Sequence, residues 1–498
     1  MPSGPSNELF TAPPSVPWKP HKYQLKAVRW LVEHAGAALF QDPGLGKTSE
    51  TLAALKFLLD KKQIERVLLI APLRVAHSVW PRELKKWQNF EHIKHVVLHG
   101  PKKDELLETD ASIYIINPDG LPWLLGAEGK AVDMKRWRSL KFDTLVVDEL
   151  SKFKDSSTKR FKLIRQIIPT FARRWGLTGS PSPNGLIDLF GQMYVVDEGR
   201  SLGRFVTHYR NKYFVQSWNG YDWEPQKGAE QAIYERIEPV VMTMKAEDYI
   251  KMPACLENRI AVQLPANARR VYDLLEDSLL ASVKEGTISA ANAAVASLKC
   301  LQVACGGVYL DKDLMAQVNE KTRKELVKAS RGRPHVNLHD EKTEAVAELV
   351  EELQGEPLLI AYAYDHDLER LKARLGKKTP HIGGGISSKE ALDLEARWNA
   401  GKLPVLLGHP QSLAHGLNLQ GAGRHVCWHS LTWNFELYDQ FNRRVWRQGQ
   451  KSSRVFIHHI VAEKTVDELV VKTLKAKDKG QRALFAALKA LSSTRTRR

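Results

Sequence analysis

Short, mostly apolar runs alternate with longer amphipathic stretches, and the pattern occurs twice along the 498 residues. Residues 37–40, 67–71, 113–116 and 145–147 form the first series, and 358–362, 405–407, 425–428 and 455–460 form the second. A strand is apolar at every position only when both faces of its sheet are covered. That predicts parallel sheets with crossover helices, hence an α/β chain with two such lobes. The span between them differs, with long helical patterns at 266–283 and 290–304 and a basic stretch at Lys321, Arg323, Lys324, Lys328, Arg331 and Arg333. The predicted layout is a flexible lead at 1–19, a first lobe at 20–194, a mostly helical insertion with a basic linker at 195–335, a second lobe at 336–475, and a helix with a basic tail at 476–498.

Composition narrows the possibilities further. No run of 18 apolar residues occurs, so no membrane-spanning helix is expected. Four cysteines without a CxxC pair favour neither a disulfide framework nor a zinc site and fit a reducing cytoplasm. A net charge of +17 favours a polyanionic partner, although it also serves solubility.

Chemistry enters at Phe40-Gln41-Asp42-Pro43-Gly44-Leu45-Gly46-Lys47-Thr48-Ser49, which lies between an apolar strand and a helical pattern. Glycines let a backbone wrap around phosphates at a helix N-terminus. Lys47 is then placed to reach the β and γ phosphates and Thr48 to hold Mg²⁺. The strict phosphate-loop spacing is broken by Gln41, which stands where its first glycine would be. About a hundred residues on, Thr144-Leu145-Val146-Val147 ends in Asp148-Glu149. Alone, that pair also fits a solvated turn. After a phosphate loop it fits a Walker B site, with Asp148 organising Mg²⁺ and Glu149 as general base for water.

Together these residues resemble superfamily 2 nucleic-acid motor ATPases, and among them the Swi/Snf family of DNA translocases, from Pro20 to about Lys475. Tyr23-Gln24 resembles the family's Q motif, in which the glutamine reads adenine. Residues 69–73 resemble motif Ia, and Leu177-Thr178-Gly179-Ser180-Pro181 resembles motif III, which couples the ATP site to the DNA track. Motif V is matched around Gly416. The segment 440–450 resembles motif VI, with Arg444 and Arg447 at the arginine-finger positions. Their spacing of three predicts one helix face. One departure stands out: Ser151 occupies the place of the family's usual histidine, which puts that residue's contact to motif III in doubt.

The resemblance implies two RecA-like lobes, with lobe 1 supplying Lys47, Thr48, Asp148 and Glu149 and lobe 2 supplying Arg444 and Arg447. It implies ATP and Mg²⁺, and an ATPase stimulated by DNA that moves on duplex or branched DNA, favoured over single strands and over RNA. A strand-separating helicase is the alternative, as is an ATP-gated clamp on DNA or RNA polymerase. Arg74, Asn117, Tyr364 and Gln411 are candidate DNA contacts by motif position, although Arg74 also fits a solvated strand end and Tyr364 a strand cap. A monomer is expected, with a replication, recombination or transcription protein as a further partner.

Overall fold

The computed structural model describes residues 15–127, 129, 131–216, 223–284, 290–310, 334–413 and 416–495. Lobe 1 is built on a parallel sheet of seven strands: β1 (Gly36–Gln41), β2 (Val67–Ile70), β3 (His95–Val97), β4 (Ile113–Ile116), β5 (Thr144–Asp148), β6 (Arg173–Thr178) and β7 (Val241–Met244), in the order β3-β4-β2-β5-β6-β1-β7. Pleating sorts each apolar run between two layers. Leu68, Ile70, Tyr114, Ile116, Leu145 and Val147 enter one core, and Val67, Leu69, Ile113, Ile115 and Val146 enter the core on the other face. Helix α1 (Lys22–Glu33) packs on α2 (Lys47–Asp60), which follows β1.

Lobe 2 repeats the plan with β8 (Ala254–Val262), β9 (Leu358–Ala361), β10 (His381–Ile382), β11 (Val405–Gly408), β12 (His425–Trp428) and β13 (Arg454–Ala462), all parallel in the order β8-β13-β12-β9-β11-β10. Leu359, Leu406, Val426 and Trp428 face one layer, and Leu358, Ile360, Val405, Leu407 and Cys427 face the other. Helices α3 (Glu341–Glu352), α4 (Asp365–Leu375) and α5 (Phe435–Asn442) belong to this lobe. At its centre the Lys342 ammonium of α3 lies 2.5 Å from Asp467, with both side chains fully buried.

Three expected boundaries change. The span 195–335 is not a separate helical insertion, because β7 completes the sheet of lobe 1 through β1 and β8 completes that of lobe 2 through β13. Its helices at Ala266–Lys284 and Ala290–Cys305 bring Ala268, Tyr272, Cys300 and Val303 against Ala462 of lobe 2. The basic stretch 321–333 lies outside the described residues. No break falls at 476: helix α6 (Val466–Arg495) runs through it, setting Val470 and Leu474 in the core of lobe 2 and Leu484 in that of lobe 1. In the lead, 1–14 lie outside the described residues, while Val16 forms a bridge to Trp87 and the Trp18 amide donates to Asn89 at 2.8 Å. Among the described residues no helix is long and apolar enough to cross a membrane.

Candidate nucleotide site at the seam between the lobes

The phosphate loop is the turn from β1 into α2. Gly44 and Gly46 take φ of +95° and +105°, a left-handed backbone open to glycine at little cost. From α1, Tyr23 Oη and Gln24 Nε2 donate to the Leu45 carbonyl at 3.2 and 3.0 Å, and Gln24 Oε1 accepts from the His21 amide. The Q-motif side chains therefore hold the loop's shape. A Cβ at Gly46 would come within 2.3 Å of Gln24 Nε2. We expect Gly46→Ala to raise KM for ATP at least about tenfold, since left-handed strain of ~1–3 kcal/mol adds to that overlap. An unchanged KM would show that the loop tolerates the methyl group.

Lys47 Nζ donates to the Gln41 carbonyl at 2.6 Å. Burial pushes its pKa down, opposed by Glu149, Asp148, Asp42 and Glu50. Trp80 Nε1 donates to Asp148 Oδ2 at 2.8 Å and so fixes that carboxylate. Glu149 follows with φ of +64°, a strained conformation for a residue with a Cβ. Thr178 Oγ1 of motif III reaches its Oε1 at 3.3 Å. Burial, then Glu436 and Asp148, push the Glu149 carboxyl up to about 7. Gly179 packs on Pro43, where a Cβ would sit 3.2 Å from the ring.

Lobe 2 supplies the opposite wall. Helix α5 ends at Asn442, and residues 443–447 form turns tied by Arg444 N to Phe441 O and Trp446 N to Asn442 O at 3.0 and 2.9 Å. The expected shared helix face for Arg444 and Arg447 is thus replaced by a turn that aims both at one cavity. Arg444 donates to the carbonyls of Gln440 and Leu417 at 3.0 and 2.9 Å. Arg447 Nη1 donates to Asn418, its Nη2 lies 3.8 Å from where a Cβ of Gly44 would be, and its buried Nε lacks a hydrogen-bond partner. Burial disfavours the charge on both guanidiniums.

The cavity between these walls measures about 500 Å³, within the ~300–1,000 Å³ of small-molecule sites. Tyr23, Gln24, Pro43 to Ser49, Asp148, Glu149, Gly179, Ser180, Gly416, Arg444 and Arg447 all line it, and Thr178 stands behind Glu149. The donor set fits a magnesium–triphosphate ligand: a hydroxyl and a carboxylate supply hard oxygens at Thr48 and Asp148, and cationic side chains enter from both lobes.

The four candidate track contacts do not line this cavity. Asn117, Arg74 and Gln411 lie just beyond β4, β2 and β11, and the Tyr364 ring packs on Tyr309 and His366. Arg74 donates across the seam to the Ser412 carbonyl. Other cross-seam pairs escape sequence reasoning altogether: Arg443 lies 3.7 Å from Asp42, Arg82 lies 3.7 Å from Glu395, and Ser151 hydrogen-bonds to Glu436. Each joins residues far apart in the chain, and no local spacing announces them.

Comparison with known proteins identifies the family. The family described as SNF2-related domain matches residues 23–305, and the one described as helicase conserved C-terminal domain matches 341–449. Putative protein p41 of Acyrthosiphon pisum secondary endosymbiont phage 1 is 34% identical over 489 residues, covering 94% of this chain and 98% of that one. The putative ATP-dependent helicase/translocase YwqA of Bacillus subtilis (strain 168) is 25% identical over 91% of this chain, which spans 47% of that relative's length. A solved SWI2/SNF2 ATPase core of Sulfolobus solfataricus in complex with dsDNA aligns over 96% of both chains at 20% identity and a TM-score of 0.42. With the first of these domains matching more than half of its residues and the phage relative aligned over nearly its whole length, the chain belongs to the SNF2-related family of superfamily 2 ATPases.

Proposed function

We propose that this ATPase hydrolyses ATP at the seam and couples the cycle to translocation along duplex or branched DNA. One observation carries the reading: a single cavity joins the phosphate loop and acidic pair of lobe 1 to Arg444 and Arg447 of lobe 2. In this reading Lys47 and the N-terminus of α2 hold the β and γ phosphates, Tyr23 and Gln24 face the adenine side, and Glu149 orients and deprotonates the attacking water. Thr48 and Asp148 would hold Mg²⁺, which would supply positive charge to the phosphate oxygens. Arg444 and Arg447 stabilise the charge that develops on the γ-phosphoryl group, so hydrolysis requires both lobes. Phosphate release then favours opening, because a ligand moves the lobes only through its differential affinity for the two arrangements.

The excess of basic residues and the likeness to YwqA, a putative helicase/translocase, support a nucleic-acid track. Arg74, tied to Ser412, better suits a link between the lobes than a direct phosphate contact. The test compares ATP hydrolysis without nucleic acid and with duplex, forked and single-stranded DNA and RNA, for the wild type and Lys47→Ala. Duplex or forked DNA is expected to stimulate most, increasingly with length, and Lys47→Ala to abolish turnover. Greatest stimulation by RNA overturns the substrate, stimulation independent of DNA length favours a clamp, and displacement of a paired strand favours a helicase.

A further inference from the structure

Ser151 bridges the seam. Its Oγ lies 3.0 Å from Glu149 Oε1 in its own lobe and 3.0 Å from Glu436 Oε1 at the start of α5 in the other. A serine hydroxyl has one proton and serves one carboxylate at a time. Ser151 and Glu436 are both buried, at 1% and 4% exposure, whereas Glu149 lines the cavity and is open to water when the hydroxyl serves Glu436. Glu436 has further anchors: Lys152 Nζ at 3.6 Å, Lys154 Nζ at 3.7 Å and Gln440 Nε2 at 3.4 Å. Glu149 has the Thr178 hydroxyl at 3.3 Å and a left-handed backbone that fixes where its side chain starts. The contact to motif III that the serine put in doubt is not among these hydrogen bonds of Ser151. Thr178 reaches Glu149 directly, and Ser151 faces lobe 2 instead.

We propose that Glu436 is a positioning residue for hydrolysis: arriving with lobe 2, it draws the single hydroxyl proton of Ser151 away from Glu149 and frees that carboxylate oxygen to hold the attacking water. This rests on the reading of Glu149 as general base. With the lobes apart, Glu149 is the carboxylate within reach of the Ser151 hydroxyl, and that bond takes up one of the lone pairs of its Oε1. With the lobes together, Glu436, kept ionised by Lys152 and Lys154, offers the hydroxyl a second acceptor. Closure thereby readies the base as the arginines arrive, and the same stretch of lobe 2, α5 and the turns after it, carries both.

The test measures kcat and KM for ATP with saturating duplex DNA in the full chain. Glu436→Ala is expected to lower kcat about ten- to a hundredfold, the range of a hydrogen bond to a charged group, with KM nearly unchanged. Glu436→Gln keeps an oxygen acceptor and is expected to retain most of kcat. Ser151→Ala removes the proton that blocks Glu149, so adding it to Glu436→Ala restores turnover, which loss of a merely structural contact would not do. A double variant as slow as Glu436→Ala, or Glu436→Gln as slow as Glu436→Ala, overturns the inference. Glu149→Gln separates the two levels: turnover near wild type there removes Glu149 as base, whereas an inactive Glu149→Gln beside an unaffected Glu436→Ala removes only the role of Glu436.

Discussion

Arg447→Ala is expected to lower kcat for ATP at least about a hundredfold while ATP still binds, because arginine fingers contribute on the order of 10³–10⁵ to turnover. The guanidinium lies against Gly44 of the phosphate loop, where burial disfavours its charge and Nε finds no protein acceptor. Such a group gains most from an anion arriving in front of it, and more as that anion's charge shifts in the transition state. Arg447→Lys should recover little, since an ammonium on a different stem cannot reproduce the planar fork. The Arg444→Ala defect should combine with it less than additively, because both act on one phosphoryl group. Single-turnover hydrolysis with a separate ATP titration checks this, and near-normal turnover in Arg447→Ala would remove that residue from the reacting centre.

The largest effect on stability is expected at Lys342→Ala. Its ammonium is paired with Asp467 where neither side chain meets solvent, and it lies 3.8 Å from Cys305 Sγ. Asp467 also accepts from the Ala462 amide at 2.9 Å, so the pair fastens α3 to the join between β13 and α6. Removing the cation leaves a buried carboxylate without its counter-charge, at a cost of about 3–5 kcal/mol. That is a large part of the ~5–15 kcal/mol that holds a typical domain folded. Urea unfolding of the variant should begin at markedly lower concentration, and Lys342→Met combined with Asp467→Leu should recover much of the loss. An unchanged midpoint for Lys342→Ala would show that the pair does not support lobe 2.

Which parts of this architecture are legible in the sequence follows from burial. Strands such as β2, β4 and β9 lie inside their sheets and read as unbroken apolar runs. Strand β6 is just as central yet begins Arg173-Arg174, because the Arg174 guanidinium is buried by bonding the Phe171 and Val196 carbonyls at 2.6 and 3.2 Å and Glu198 at 3.0 Å. Strands β7 and β8 close the edges of the two sheets, and most of β8 faces solvent, so their sequences mix polar and apolar residues and merge with the helices around them. The residues that line the seam cavity are legible for another reason. A phosphate loop and a motif VI turn are each local, and their spacing in sequence is their spacing in space. Ser151 and Glu436 are 285 residues apart, and Gln481 and Gly179 302 apart, so those meetings exist only once both sheets have formed.

One helix belongs to both halves of the molecule. Between Leu474 and Leu484, α6 advances about 15 Å, leaving one core and entering the other, and on the way Gln481 Nε2 donates to the Gly179 carbonyl at 3.2 Å. It acts as a leash. The halves are free to tilt as far as that length allows, but swinging wide means lifting Leu484 from its seat, which costs about 1.5–3 kcal/mol for a buried leucine. Small rocking is therefore cheap and gaping is not, and the opening of the seam is bounded by the reach of this segment.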